Sequence, residues 1–325
     1  MKLHRRSFLQ AAGGAAVASA TPQLACALDY PARPVRVLVG YTAGSAPDVL
    51  GRLMAQWLSQ RLGQPFVIEN RPGAGTNIAT ETVVHATPDG YTLLVAGIPS
   101  IISSLLYQNL SFNFIRDIAP AGCIGGTPFV MVVNPSFPAR TVAEFIAYAK
   151  ANPGQINMAS QGTGTLTHVA GELFKMLTNV DMVHVPYHGE LEAQTDLISG
   201  RAQVMFEPII TSLATVRDGK LRALGVTTTA RLDALPDVPA IGEVVPGYEV
   251  EGWLGIGAPN GTPAEAIDTL NRAINAGLAD PKTRTSLVDL GDVPTALTSA
   301  EYRKLIADEY DKWAKVFKFA GIKAG

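Results

Sequence analysis

The strongest constraint on how this chain can fold is a repeated alternation. Short β-rich runs give way to stretches with helical spacing, as in Val35–Val39 followed by Val49–Leu62, and later Tyr91–Ala96, Phe129–Val133 and Val142–Lys150. Such alternation is the pattern of an α/β fold with a mainly parallel sheet. The first helix is the clearest, with Val49, Leu50, Leu53, Met54, Trp57, Leu58 and Leu62 on one face, Arg52, Gln56 and Gln60 left wet, Asp48 placed to cap it and Gly63 to end it. Capping boxes at Thr141-x-x-Glu144, Thr262-Pro263-x-Glu265 and Thr298-x-x-Glu301 mark further helix starts, and the last opens a helix reaching about Ala320. Punctuation at Gly125-Gly126-Thr127-Pro128 and Val245-Pro246-Gly247 lets the chain leave one lobe, build a second and return. The expected division is residues 28–127 for the first part of lobe 1, 128–244 for lobe 2, and 245–325 for the return.

The start of the chain reads as an address. Arg5-Arg6-Ser7-Phe8-Leu9 precedes an apolar stretch from Ala11 to Ala20, the pattern of a twin-arginine export signal over residues 1–27. That stretch is about half of the roughly twenty residues that a spanning helix needs. Ala25-Cys26-Ala27 offers small residues for cleavage, so a periplasmic mature chain beginning near Leu28 is expected; lipid anchoring at Cys26 competes, although Gln23 stands where a lipobox wants an aliphatic residue. Without residues 1–27, 23 basic residues face 28 acidic ones, a net charge of −5, and no Lys/Arg run occurs. This argues against nucleic acid or an anionic membrane surface as partner. Cys123 is then the sole cysteine, so no intramolecular disulfide forms and stability comes from burial.

Candidate binding residues lie on loops that run from strand to helix. Gly40–Asp48 places Tyr41, Gly44, Ser45, Ala46 and Asp48 where a helix dipole favours an anion, and an ordinary βα turn is the competing reading. Ser160-Gln161-Gly162-Thr163-Gly164-Thr165 repeats that arrangement before a helix starting near Leu166, with Ser160, Thr163 and Thr165 as neutral donors and Gly164 permitting close approach. It lacks the Gly-Lys-Ser/Thr of a phosphate loop and the third glycine of a dinucleotide fingerprint. Asn70–Asn77 contributes Asn77 and Arg71, the latter as cleft cation or solvated turn residue, and Ser100 follows a strand C-terminus, where ligands sit in open sheets. Tyr187 and Glu207 complete the candidates.

Catalysis is the weaker reading. Ser160, His168 or His184, and Asp181 supply the groups for Ser/His/Asp chemistry, but there is no Gly-x-Ser-x-Gly elbow. His184 and His188 have i, i+4 spacing, yet Pro186 between them breaks any helix that would aim both at a metal. No cofactor or metal is expected.

Collinear motifs then carry a family resemblance across nearly all of the mature sequence: Glu69-Asn70-Arg71-Pro72-Gly73-Ala74-Gly75, Pro88-Asp89-Gly90-Tyr91-Thr92-Leu93-Leu94, Ala147–Gly154, His184-Val185-Pro186-Tyr187 and Gly219–Leu224. With these, the chain resembles the Bug-type receptors of tripartite tricarboxylate transporters. The resemblance implies a type II periplasmic binding fold, two doubly wound lobes joined by a hinge, that holds a small carboxylate between Tyr41–Asp48 and Ser160–Thr165. It further implies a monomer that serves membrane permease subunits without enzymatic turnover; a ligand sensor docking on a signalling protein is the alternative. Ser45 stands where the family usually has glycine, Ile98-Pro99 adds apolar bulk, and His188 replaces a usual lysine, so the pocket is expected to depart from the family norm. Glu207 would suit a ligand with an amino or other donor group.

Overall fold

A computed structural model describes residues 30–107 and 109–323; the stretch read as an export signal and Cys26 lie outside them. In chain order the elements are β1 Val35–Val39, α1 Ala46–Leu62, β2 Phe66–Asn70, a 3-10 turn Ala74–Thr76, α2 Asn77–Val84, β3 Thr92–Gly97, α3 Ile98–Leu106, α4 Phe114–Asp117 and β4 Ile118–Val133. There follow α5 Val142–Ala151, β5 Asn157–Ser160, α6 Leu166–Thr178, β6 Val183–Pro186, α7 Glu190–Ser199, β7 Val204–Pro208, α8 Ile209–Arg217 and β8 Arg222–Val226. The chain then returns through β9 Glu251–Pro259, α9 Ala264–Ala279, α10 Pro281–Asp289, β10 Val293–Pro294 and α11 Ser299–Ala320.

The strands order as β2-β1-β3-β9-β4-β7-β5-β6, with β8 and β10 also paired to β4. Both flanks are parallel, as helical crossovers require: β1 with β2 and β3, β5 with β6 and β7. The centre departs from the mainly parallel sheet expected, because β9 runs antiparallel between β3 and β4, and β4 runs antiparallel to β7 and β8. The fold is α/β in two halves that share β4.

β4 runs through the punctuation at Gly125–Pro128 as a single strand. Residues Ile118–Pro128 of β4 pair with β9, with register shifts between Pro120 and Gly122 and between Cys123 and Gly125, while Phe129–Val133 pair with β7 and Val130–Val133 with β8. Small residues are required there by neighbours. A Cβ on Gly122 would lie 2.9 Å from Ile274 Cδ1, one on Gly125 2.1 Å from Asp292 Oδ2, and one on Gly126 2.8 Å from the Glu251 carboxyl carbon. Poor strand formers hold a central strand because side chains of α9, β9 and the turn before β10 occupy the space above them.

The first helix starts at Ala46, earlier than expected, with Ser45 as N-cap and Asp48 inside its first turn. Leu50, Met54 and Leu58 are buried against the sheet. Gly63 closes the helix in the left-handed conformation, as read. Arg52 is not simply wet: it binds Asp48 at 2.9 Å and Asn70 at 2.8 Å. The box at Thr298 and Glu301 forms in full. At Thr141 only the hydroxyl half forms, since Glu144 accepts from the Arg140 N–H instead, and α9 starts after Pro263 with no side-chain cap from Thr262. The long α11 packs on α3 of one half and α6 of the other, with Trp313 fully buried. Cys123 is a buried thiol near the Leu254 carbonyl, and burial pushes its pKa up to about 12, so it acts as a small core residue.

Candidate functional site

A cavity of about 540 Å³ opens between the two halves of the sheet. Its walls are mostly apolar, with Leu50, Ile98, Ile102, Leu106, Phe129 and Trp253 prominent, and its lining among the described residues contains no Lys, Arg or His. Five helices begin on it: α1 at Ala46 and Pro47, α3 at Ile98 and Pro99, α6 at Thr165 and Leu166, α7 at Glu190, and α8 at Pro208 and Ile210. None of these five has a side-chain cap. Helices that start elsewhere often do, through Asn113, Thr141, Asp280 and Thr298. Uncapped N-termini present unpaired N–H groups and the positive ends of helix dipoles, which favour an anion without any formal positive charge. Only α7 brings its own acid, Glu190, to its first position.

Two loops shape the opening of the cavity, and each is braced from behind. In Gly40–Asp48, Gly44 adopts φ +82° and donates its N–H to the buried Asp48 carboxylate at 2.8 Å. Asp48 also accepts from Arg52 and, at 2.7 Å, from Asn70 Nδ2. Burial alone would raise the Asp48 pKa, but these hydrogen bonds outweigh it and hold the carboxyl below its usual range. Ser45 turns its hydroxyl back to the Thr42 carbonyl at 2.7 Å.

The other loop rests on two histidines. His168 and His184 stack with ring centroids 3.6 Å apart, and His184 Nε2 lies 2.6 Å from Ser160 Oγ. His168 Nδ1 accepts the buried Gly164 N–H at 3.0 Å, while its Nε2 approaches Glu172, which Lys175 pairs at 2.8 Å. Burial, and then the proximity of His168, pushes the His184 pKa down to about 4. Gly164, at φ +80°, lies so close to α3 that a Cβ would stand 3.2 Å from Leu106.

Of the candidate residues, Tyr41, Ala46, Thr163, Gly164 and Thr165 line the cavity together, as do Ile98 and Pro99. Gly44, Ser45 and Asp48 support that wall from behind. Ser160 is fully buried and serves as an internal brace. Ser100 is buried beside Thr76, with 3.2 Å between the hydroxyls. Asn77 is buried next to the 3-10 turn, its Nδ2 without a protein partner. Tyr187 points elsewhere, donating to Asp196 at 3.0 Å. Glu207 is fully buried, with Oε1 unpartnered. Arg71 pairs with Glu69 at 2.6 Å and is absent from the lining, and His188 is exposed.

Sequence reasoning missed the wall formed by α3 beyond Pro99, by Thr127 and Phe129 of β4, by Trp253 of β9 and by the start of α8. Trp253 Nε1 is a buried donor without a protein partner. The signal for α3 was present in the apolar run Ile98–Leu106, which reads as plain core.

The Ser–His pair that a nucleophile would need exists, but Ser160 is closed off from the cavity and His184 stacks on His168 and makes no bond with Asp181. Among the described residues no His/Cys/Asp/Glu group is arranged to hold a metal, and no helix is long and apolar enough to cross a membrane.

Comparison with known proteins adds an independent result. Residues 50–322 match the family described as the tripartite tricarboxylate transporter family receptor. Protein BugT of Bordetella pertussis is 33% identical over 319 residues, covering 97% of this chain and 96% of its own. Among solved structures, R. palustris Rpa4515 with adipate is 34% identical, with a TM-score of 0.74 over 90% of this chain and 99% of its own. Periplasmic binding protein BugD is 31% identical, with a TM-score of 0.72 over 91% of this chain and 100% of its own. MatC from Rhodopseudomonas palustris with bound malate is 30% identical, with a TM-score of 0.71 over 88% and 99%.

Proposed function

The chain belongs to the tripartite tricarboxylate transporter receptor family, and from that premise we propose that it captures a small carboxylate in the cavity between its two halves and delivers it to the permease subunits of such a transporter. The observation that carries the choice of ligand is the convergence of uncapped helix N-termini on a cavity without a cationic side chain. An anion held by N–H groups and neutral hydroxyls is released readily, which suits a receptor that must hand its cargo on. Trp253, which lines the cavity, keeps its buried Nε1 without a partner in the protein and is a further donor suited to an acceptor ligand. Adipate and malate in two relatives belong to the same chemical class.

In this reading Tyr41, Ala46, Thr163, Gly164 and Thr165 touch the ligand, with Gly44, Ser45, Asp48, Ser160 and Ser100 holding the surrounding loops in shape. Two lobes hinge where β4 changes partners between Pro128 and Phe129, and closure of Gly164 onto α3 desolvates the ligand. The protein works as a monomer on the periplasmic side, following export directed by residues 1–27, and binds without turnover.

The test is a thermal-shift screen of carboxylic acids. A ligand at a hundredfold excess over its Kd should add about 2.7 kcal/mol of stability. Ala46→Trp and Thr163→Trp, at exposed positions on opposite walls, should fold and lose that shift. No stabilisation by any acid, or chemical consumption of one that binds, would overturn the proposal.

A further inference from the structure

One wall of the cavity has chemistry of the opposite sign. Glu190 lines it beside Pro208, Ile210 and Thr211, and its Oε1 accepts the Thr211 hydroxyl. Directly behind lies Glu207, fully buried, whose Oε2 has only a long 3.5 Å contact with Gln194 Nε2 and whose Oε1 has no partner. Gln194 is stretched equally far, 3.5 Å, to the Thr211 carbonyl. No basic residue lines the cavity near them. Burial, with Glu190 adding to it, pushes the Glu207 carboxyl up to about 8, and burial raises that of Glu190 as well. Two neighbouring carboxyl groups without a cation repel one another once ionised, and a buried, unpartnered carboxylate oxygen is costly. The remaining helix ends attract an anion, so a single ligand satisfies both walls only if it carries charge or donors of both kinds.

We infer that Glu190, backed by Glu207, sets the specificity of this receptor by selecting, among small carboxylates, those that also bear a protonated amine or another N–H donor. This rests on the carboxylate reading above. Glu190 accepts the nitrogen from the cavity side, and Glu207 supplies the second negative charge that a cation would draw out. The isosteric competitor is a diacid, to which a protonated Glu207 system would donate.

Matched probes separate the two. For a four-carbon chain, a five-carbon chain and a benzene ring, binding of the monoacid, the diacid and the amino-bearing acid to the full chain is measured by calorimetry at pH 7.5. In a framework that binds, the amino-bearing acid should bind about tenfold more tightly than the monoacid or diacid, the scale of one charge-assisted hydrogen bond. Glu190→Gln should bring the amino-acid to monoacid ratio within about twofold of unity, and Glu207→Gln should lower it partly. Should Glu190→Gln fail to fold, Glu190→Asp, which withdraws the carboxyl by one methylene, gives the same readout. A preference for diacid or monoacid, or a ratio unchanged in the variants, overturns this inference and leaves the carboxylate reading intact. Silence from all nine probes removes both.

Discussion

The two loops at the opening of the cavity have the same outline and are braced by different chemistry. Gly40–Asp48 is held by an ionised carboxylate, itself buried, whose partners include the half-exposed Arg52 and the exposed Gly44. Ser160–Thr165 is held by two stacked imidazoles, His168 buried and His184 half-buried. A brace whose partners reach water can be replaced in part by water when it is lost, whereas one whose partners are buried leaves them stranded. The first loop should therefore tolerate substitution and acid, and the second should tolerate neither.

The largest difference is expected on deleting each brace. His168→Leu strands the buried Gly164 N–H and leaves Glu172 with Lys175 alone, at a cost of about 3 kcal/mol. Asp48→Ala frees groups that water reaches, since Gly44 is exposed and Arg52 half exposed, and should cost about 1 kcal/mol. Urea unfolding of both variants decides the matter; equal costs, or a larger one for Asp48, would remove the contrast.

A smaller effect separates the loops by pH. An unfolded histidine takes a proton near 6.5, whereas His184 in the folded protein waits until about 4, so its contribution to stability declines as pH falls through that window. Allowing for its partial exposure, the loss is about 1–2 kcal/mol. Asp48, with its pKa lowered, keeps its contribution until the pH falls into the ordinary aspartate range and loses it progressively below that. The fall in stability between pH 6.5 and 4.5 should be shallower in His184→Gln than in the parent protein, and unchanged in Asp48→Ala. Parallel pH profiles for all three proteins would show that His184 does not titrate as described.

The smallest effect belongs to Ser45→Gly. Its hydroxyl faces the Thr42 carbonyl and does not cap α1, so the change should cost a few tenths of a kcal/mol and leave ligand preference in place. A changed preference on calorimetry would mean that Ser45 reaches the ligand after all.

How much of this was legible beforehand follows the range of the interactions. Val35–Val39, α1 and the Thr298 cap were readable because strand period, helix period and capping are local. The Gly44 and Gly164 loops were readable because a strand running into a helix through glycine has few uses. Ile118–Pro128 was not, since Ala119, Pro120, Gly122 and Gly125 belong in a strand only by virtue of neighbours distant in the chain, among them Ile274 and Asp292. The inward turn of Ser160 was hidden for the same reason, because nothing local shows that His184 will stand 2.6 Å away. Family resemblance brought the two halves and the ligand class within reach, and the acidic wall at Glu190 came only from the assembled fold.

The position of β9 has a consequence for biosynthesis. A nascent chain that has emerged only as far as residue 250 holds β3 and the first half of β4 with a strand's width between them, and the strand that fills it, Glu251–Pro259, is made late. Until then Thr92–Gly97 and Ile118–Pro128 present open edges of largely buried-type residues, the surface that other chains add to most easily. An interruption of translation before Glu251–Pro259 is complete therefore yields a product more prone to aggregation than its length suggests.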